Sequence, residues 1–257
     1  VSGAFSVFAS EPAGRVLIVD GRNNHDWRIT TDALRATLEA TGLFEVSVST
    51  APVSTVPPGP RAPRASEPGL KTLYDKALAT YAELTKPAKE ATGAAFEEWR
   101  PDFAAHDVVL LNYNGPNWPE ATRKAFVEYE RSGGGVLLVH GANNAFYNWD
   151  AFNEMIGLGW RKAGFGRAIK VNPDTGETYA DASAGNSAHG SKHPFLVTVR
   201  EPEHPVMRGL PPAWMHAKDE LYHHMRGPAK NLTVLSSAWS DPKQRGTGKH
   251  EPVTWET

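Results

Sequence analysis

The segment GGGVLLVHGANNAF, residues 133–146, decides the predicted fold. Its apolar run ends at His140, which small residues flank, and a polar segment follows. This order is typical of a buried parallel strand that turns sharply into a loop or a helix. Because ligands of open α/β sheets bind beyond the carboxyl ends of the strands, His140 stands where such a fold keeps its chemistry. In the alternative, Gly141 makes the turn and His140 is a hydrogen-bonded bystander.

Further apolar runs predict the rest of the sheet. Residues 15–21 and 44–48 read as strands around a helix that Thr30 or Thr31 would cap, which predicts a right-handed parallel crossover. We expect the runs at 16–19, 108–111 and 136–139 to be parallel and adjacent in one sheet, since helical patterns separate them. Helices are predicted at 70–92, 120–132 and 150–156, and later strands at 168–171, 195–199, 232–238 and 252–255.

These elements predict an α/β fold: a flavodoxin-like, doubly wound, mainly parallel sheet with flanking helices. At 257 residues the chain can bury a large core, and we expect a single domain over 1–257. Residues 54–103, a proline-rich loop followed by a helix, are predicted to be an insertion, and 1–13 an N-terminal tail.

Composition narrows the possible functions. The net charge of −2 provides no basic field for nucleic acid, and no apolar run reaches the roughly 20 residues that span a bilayer. The absence of cysteine excludes disulfides, thiolate metal sites and a cysteine nucleophile. Neither a GxGxxG motif after the first strand nor a P-loop is present, so we expect no nucleotide cofactor. We expect a soluble protein, either secreted or periplasmic after removal of a signal, or cytoplasmic.

Polar clusters follow the predicted strands and would meet at one sheet edge, where they suit a sugar or another polyol. Asparagine and aspartate are also common in turns, so a single cluster is weak evidence for a binding site. The stronger evidence is that several clusters are placed at the same sheet edge. The predicted substrate-binding residues are Asn24, Asp26, Trp27, Asn112, Asn114, Trp118, Asn143, Asn144, Trp149, His189 and Tyr222.

Histidines and one glutamate in these clusters are the candidates for chemistry. Histidine serves as a general acid or base near neutral pH, and a carboxylate can share that work. We predict catalytic roles for His25, His140 and Glu220. The same residue types suit a divalent metal such as zinc, for which the candidates are His25, His140, His189, His193 and Glu220. His223 and His224 are interpreted as surface or packing residues.

Taken together, these segments resemble the trehalose-utilisation (ThuA-like) family, whose fold is similar to that of class I glutamine amidotransferases. The matching segments lie throughout the chain outside 51–103: residues 21–27, 112–118, 133–146, 153–160, 189–190, 204–211, 219–222, 226–228 and 246–252. The resemblance implies a role in carbohydrate metabolism, on a sugar, a glycoside or a keto-sugar. His140 stands where the amidotransferases have their cysteine nucleophile, so cysteine-dependent glutamine hydrolysis is excluded. Members of the family normally continue beyond the Trp255 strand to a Leu-Gly-His end, which would supply a further histidine.

Three interpretations of the site stay open. The first is an enzyme, a hydrolase, lyase or isomerase that acts on a small-molecule carbohydrate. The second is a non-catalytic carbohydrate-binding module on an amidotransferase-like scaffold, whose binding would survive the loss of His140. The third is a subunit interface of a homo-oligomer at the same sheet edge.

Overall fold

The computed structural model describes residues 12–257. Residues 1–11, most of the predicted N-terminal tail, lie outside the described residues. The chain divides into two compact units, of which the first ends at Val139 and the second runs from His140 to Thr257. The single domain over 1–257 stays a prediction. No helix of the described part of the chain is long and apolar enough to cross a membrane.

The first unit is built on a parallel sheet of four strands in the order β2-β1-β3-β4. Its elements are β1 (Gly14–Asp20), α1 (Trp27–Glu39), β2 (Phe44–Thr50), α2 (Lys71–Glu97), β3 (Val108–Leu111), α3 (Glu120–Arg131) and β4 (Gly135–Leu138). In register, Ile18 of β1 lies between Val48 and Leu110, and Leu110 lies opposite Leu137. The predicted parallel pairing of the three apolar runs is therefore confirmed.

Apolar periodicity explains how α1 packs on this sheet. Leu34 and Leu38 lie one turn apart on the same face of the helix and pack against a core that contains Val16 and Ile18. Ile18 is fully buried. The helix thus covers one face of the sheet with the residues that the sequence pattern indicated.

The predicted cap of α1 was wrong. The helix begins at Trp27, and its N-cap is Asp26, whose carboxylate accepts a hydrogen bond from the backbone N–H of Ile29. The hydroxyl of Thr31 instead donates to Asp20 Oδ2 at 2.7 Å, inside the protein. A buried acceptor at the end of β1 therefore takes the threonine that the sequence had suggested as a cap.

The helix predicted at 70–92 is confirmed as α2, which continues to Glu97. The segment before it, after the end of β2, contains a single 3₁₀ turn at Pro68–Leu70. That residues 54–103 are an insertion stays a prediction.

The second unit is organised around an antiparallel sheet. After a 3₁₀ turn at His140–Asn144 and α4 (Asp150–Ile156) come β5 (Arg167–Val171), β6 (Thr178–Ala180), β7 (Ala188–His189), β8 (His193–Val199), β9 (Ala213–Asp219), β10 (Tyr222–His223), β11 (Arg226–Gly227), β12 (Thr233–Trp239) and β13 (His250–Glu256). Seven strands form one sheet in the order β11-β5-β13-β12-β8-β9, with β6 on β5, and β7 pairs with β10.

The α/β class is confirmed, but the prediction of a mainly parallel sheet was wrong for the second unit. Parallel pairing of successive strands needs a crossover connection of a dozen or more residues, usually a helix. Only ten residues with one short 3₁₀ turn join β12 to β13, and they pair antiparallel. All four later strands predicted from the sequence exist, yet they build an antiparallel sheet.

Candidate functional site

In the first unit, the polar residues that follow β3 and β1 form hydrogen bonds with one another. Asn112 is 2% exposed. Its amide nitrogen donates to the carbonyl oxygen of Trp27 and to Thr31 Oγ1, each at 3.0 Å, and its oxygen accepts from Asn23. These bonds favour a structural tie between β3 and α1 over the predicted role in binding substrate.

A second tie joins the loops after β1 and β3. Asn114 donates to Asn24 Oδ1 at 2.8 Å, and the Asn24 amide lies 3.3 Å from His25 Nε2. Asp26 is occupied as the cap of α1, and the Trp27 ring lies under the Arg28 guanidinium at 4.1 Å. The catalytic or metal-binding role of His25 stays a prediction.

Both tryptophans predicted to stack on a sugar are buried. Trp118 is 1% exposed and packs against Phe103 and Phe126 in the first unit. Trp149 is 7% exposed and packs against Phe152 in the second. A ring that stacks on a sugar needs an open face, so this placement favours a packing role for both.

The segment that begins at His140 is held by a buried arginine. Arg161 is 1% exposed, and its guanidinium donates to the backbone oxygens of Asn143 and Ala145 and to Asn153 Oδ1. Burial lowers the pKa of Arg161 to about 10. The residue therefore stays charged near neutral pH and fixes the course of the loop.

His140 itself has a left-handed backbone, with φ at 44°. This conformation is uncommon for residues other than glycine, and such outliers concentrate at functional sites. Nearby in the chain, Asn143 is 7% exposed, and its side-chain oxygen has no hydrogen-bond partner among the described residues. A sugar hydroxyl is the kind of donor that would satisfy this oxygen.

Glu220 is the centre of a charged cluster in the second unit. Its side chain is 11% exposed, and Lys192 Nζ lies 3.1 Å from Oε1. His189 Nε2 lies 3.8 Å from Oε1, and His140 Nε2 lies 3.6 Å from Oε2. The structure thus brings two predicted site residues, His140 and His189, to the carboxylate of a third, Glu220.

Hydrogen bonds fix the tautomer of His189. Its Nδ1 lies 2.7 Å from the carbonyl oxygen of Gly190, which can only accept, so Nδ1 carries the proton. In the neutral ring, the lone pair is then on Nε2, the atom that faces Glu220. His193 has the same arrangement, with Nδ1 at 2.7 Å from the carbonyl oxygen of Ser191.

Aromatic rings form one wall of this cluster. The Tyr222 ring lies 4.3 Å from the His140 ring and 4.7 Å from the Trp160 ring, between centroids. Burial, and then the charge of Glu220, raise the pKa of Tyr222, so its phenol stays protonated. We call His140, His189, Lys192, Glu220 and Tyr222 the Glu220 cluster.

A fully buried ion pair holds His224, the residue that follows β10. Lys170 and Glu251 are both 0% exposed, and Lys170 Nζ lies 2.6 Å from each carboxylate oxygen. Glu251 also accepts from Thr247 and from the backbone N–H of His224, while Lys170 Nζ lies 2.9 Å from His224 Nδ1. Burial lowers the pKa of Lys170 and raises that of Glu251, and their mutual attraction opposes both shifts.

Sequence reasoning missed several of these residues. Lys192 lies between the predicted site residues His189 and His193 but was given no role. Trp160 was not singled out, although it is a partly buried aromatic beside Tyr222. Arg161 and the Lys170–Glu251 pair carry no local signal, since their partners are distant in the chain.

Comparisons with known proteins agree with this architecture. The family model described as trehalose utilisation, ThuA, matches residues 71–257. The crystal structure of a ThuA-like protein from Parabacteroides merdae is 32% identical, with a TM-score of 0.74, and the match covers 95% of this chain and 75% of that chain. One from Bacteroides uniformis is 19% identical, with a TM-score of 0.53 over 99% of this chain and 81% of that chain, and shows the fold alone. Among curated proteins, no significant match is found. The family match extends over more than half of the sequence, so the chain belongs to the trehalose-utilisation (ThuA) family.

Proposed function

We propose that this protein is an enzyme of carbohydrate utilisation that acts on a sugar, a glycoside or a keto-sugar through the Glu220 cluster. One observation carries the proposal. Two imidazole Nε2 atoms and one ammonium group lie within 3.8 Å of the Glu220 carboxylate. The family's description supports the carbohydrate class.

The geometry suits proton transfer. Charge-assisted hydrogen bonds normally measure 2.7–2.9 Å, whereas the two histidine contacts of Glu220 measure 3.6 and 3.8 Å. The contact between His140 and Glu220 can shorten when a substrate binds. We assign Glu220 and His140 as the acid/base pair, and Lys192 as the cation that pairs with the Glu220 carboxylate.

The reaction class that fits best is acid/base chemistry at a sugar carbon. A carboxylate can take a proton from the carbon next to a keto group, while a protonated imidazole gives its own proton to the carbonyl oxygen, as in an isomerase, or to the leaving group, as in a lyase. In a hydrolase the carboxylate would instead take a proton from water, which attacks the sugar carbon, and the imidazolium would protonate the oxygen of the leaving group. The buried Asn143 oxygen would orient a hydroxyl of the ligand.

As an alternative to the acid/base pair, we propose a divalent metal such as zinc as a cofactor of this cluster. His140 and Glu220, whose Nε2 and Oε2 atoms lie 3.6 Å apart, would then be ligands, and His189 is a further candidate. The Nδ1–H of His189 donates to a backbone carbonyl, as in histidines that ligate through Nε2. We expect zinc added to the protein to be retained after dialysis, and Glu220→Gln to lose it. Retention of equal zinc by the parent and the variant would exclude this cofactor.

Turnover tests the enzyme proposal. A panel of aryl glycosides and keto-sugars should reveal a substrate of the parent protein, and Glu220→Gln should lower its turnover by about 10²–10⁴-fold, the usual contribution of a general acid or base. His140→Asn should act similarly, because asparagine tolerates the left-handed backbone. Glu154→Gln is the matched control, since Glu154 pairs with Lys230 on the surface. Unchanged turnover in Glu220→Gln would overturn the proposal.

The second candidate is a non-catalytic carbohydrate-binding module on an amidotransferase-like scaffold. The strand order of the first unit, β2-β1-β3-β4, supports the flavodoxin-like winding that this scaffold would have. The module predicts sugar binding without turnover. In calorimetry, binding should survive His140→Asn and weaken in Trp160→Ala, because the Trp160 ring borders the cluster. Loss of binding in His140→Asn would contradict the module.

A further inference from the structure

The first unit contains a cavity that the proposed activity does not use. Its volume is about 230 Å³. Arg22, which follows β1, Ala51, which follows β2, and Tyr113, which follows β3, all line it. Gly93 and Phe96 of α2 complete the wall. The cavity therefore lies at the carboxyl ends of three parallel strands, beneath a helix.

The strand order makes this edge of the sheet a place where ligands bind. From β1 the chain passes to β2 on one side, and β3 then pairs with the other side of β1. The strand order therefore reverses between β1 and β3, and the crevice at such a switch point is where open α/β sheets hold their ligands. Arg22 and Tyr113 follow those two strands.

A glycine lets the chain segments after β1 and β2 approach each other closely. Gly21 has φ at 111°, and a Cβ there would collide with the backbone oxygen of Ala51. Only glycine permits this approach while the chain turns toward Arg22. Arg22 and Ala51, which both line the cavity, are positioned by it.

The lining indicates the chemistry of the occupant. Most of the wall is apolar, with Val53, Pro116 and Phe96 among its residues. The charged groups are Arg22 and Lys89, and among the described lining residues none is acidic. The charge of Arg22 acts on Tyr113, whose pKa burial raises despite that cation. An apolar wall with two cations complements an organic anion, whereas a sugar would need more polar partners.

We propose that this cavity is a binding site for a small carboxylate with an apolar body, of about the size of benzoate, held by Arg22 and Lys89. The ammonium group of Lys89 lies 4.7 Å from the centre of the Tyr81 ring, so its side chain is placed on an aromatic face. The site shares no residue with the Glu220 cluster and does not depend on the proposed activity.

Titration with benzoate and hexanoate, followed by ligand-observed NMR, tests the charge requirement. We expect binding of at least one anion, and binding of its neutral amide at least about ten-fold weaker, because the paired charge is lost. Arg22→Gln and Lys89→Gln should each weaken the anion several-fold. Lys76→Gln, on the same helix outside the cavity, should leave it unchanged. Absence of binding by both anions, or equal binding of anion and amide, would overturn the proposal.

A cavity-filling variant tests the location without endangering the fold. Gly93 lines the cavity, and a Cβ added there meets no atom within 4 Å, so a side chain at this position does not clash at its first carbon. Leucine is also a much better helix former than glycine, so Gly93→Leu should fold at least as stably as the parent. We expect it to abolish benzoate binding with an unchanged or raised melting temperature. Binding equal to that of the parent would place the anion elsewhere and contradict the inference.

Discussion

Glu251 and Glu220 lie in the same unit, and each has a lysine and a histidine nearby, yet their surroundings differ. Glu251 is fully buried, and both of its carboxylate oxygens lie 2.6 Å from a lysine that is itself fully buried. Glu220 keeps 11% of its side chain exposed, and its lysine is 54% exposed. Its histidine contacts measure 3.6 and 3.8 Å.

The difference separates two uses of the same residue types. Short bonds that fill every acceptor position stabilise a fixed arrangement, because a buried charge without a partner is costly. Long contacts around a partly exposed carboxylate leave room for a ligand. We therefore interpret the Lys170–Glu251 pair as structural and the Glu220 cluster as functional.

The largest expected effect is on stability. Lys170→Met leaves Glu251 as an unpaired buried carboxylate and should lower the free energy of unfolding by about 3–5 kcal/mol. Urea denaturation measures this change in the free energy of unfolding. Adding Glu251→Met to Lys170→Met should recover most of the loss, since both charges are then gone. A single variant as stable as the parent would show that the pair is not structural.

The pH dependence of stability sharpens the same interpretation. Burial, followed by nearby positive charge, lowers the pKa of both His223 and His224 from 6.5 to about 4. Between these values the unfolded chain binds protons that the folded protein does not, so the free energy of unfolding should fall as the pH drops from 6.5 to about 4. Denaturation at a series of pH values measures this slope.

A variant isolates the contribution of His224 to this pH dependence of stability. The backbone of His224 has φ at 57°, which asparagine tolerates, so His224→Asn removes one titrating group with little strain. We expect a shallower fall of stability with decreasing pH than in the parent. An identical slope would mean that His224 is not kept neutral by burial in the folded protein.

The smallest stability effect is expected at Lys192. Its contact with Glu220 is half exposed, and such ion pairs contribute about 0–1 kcal/mol. Lys192→Met should therefore keep the stability of the parent while lowering turnover or sugar affinity. A stability loss as large as that of Lys170→Met would remove the distinction between the two clusters.

Local patterns were enough to predict the parallel sheet and its packing helix. The apolar runs of β1, β3 and β4 and the 3.6-residue periodicity of α1 reflect burial of those same residues, so sequence and structure agree there. The carboxylate of Glu220 and the imidazoles of His140 and His189 were also predicted as site residues, and the structure brings them together.

Long-range pairing explains what the sequence did not predict. The strand β9 carries His216 and Lys218 and, among the described strands, pairs with β8 alone at the edge of the sheet, so it lacks a strong apolar pattern. Glu251 follows a glycine-rich turn and resembles a loop residue, because its partner Lys170 is 81 positions away. Burial of a charge depends on that partner, which no local window contains.

The free energy of unfolding of Glu220→Gln, measured against Glu251→Gln, tests the central claim most directly. Both changes are nearly isosteric and remove one charge. We expect Glu251→Gln to lose about 3–5 kcal/mol, because it leaves Lys170 buried and unpaired. Glu220→Gln should stay within about 1 kcal/mol of the parent, since an ion pair with the half-exposed Lys192 contributes little stability. A loss in Glu220→Gln equal to that in Glu251→Gln would show that Glu220 is a structural residue and contradict the account.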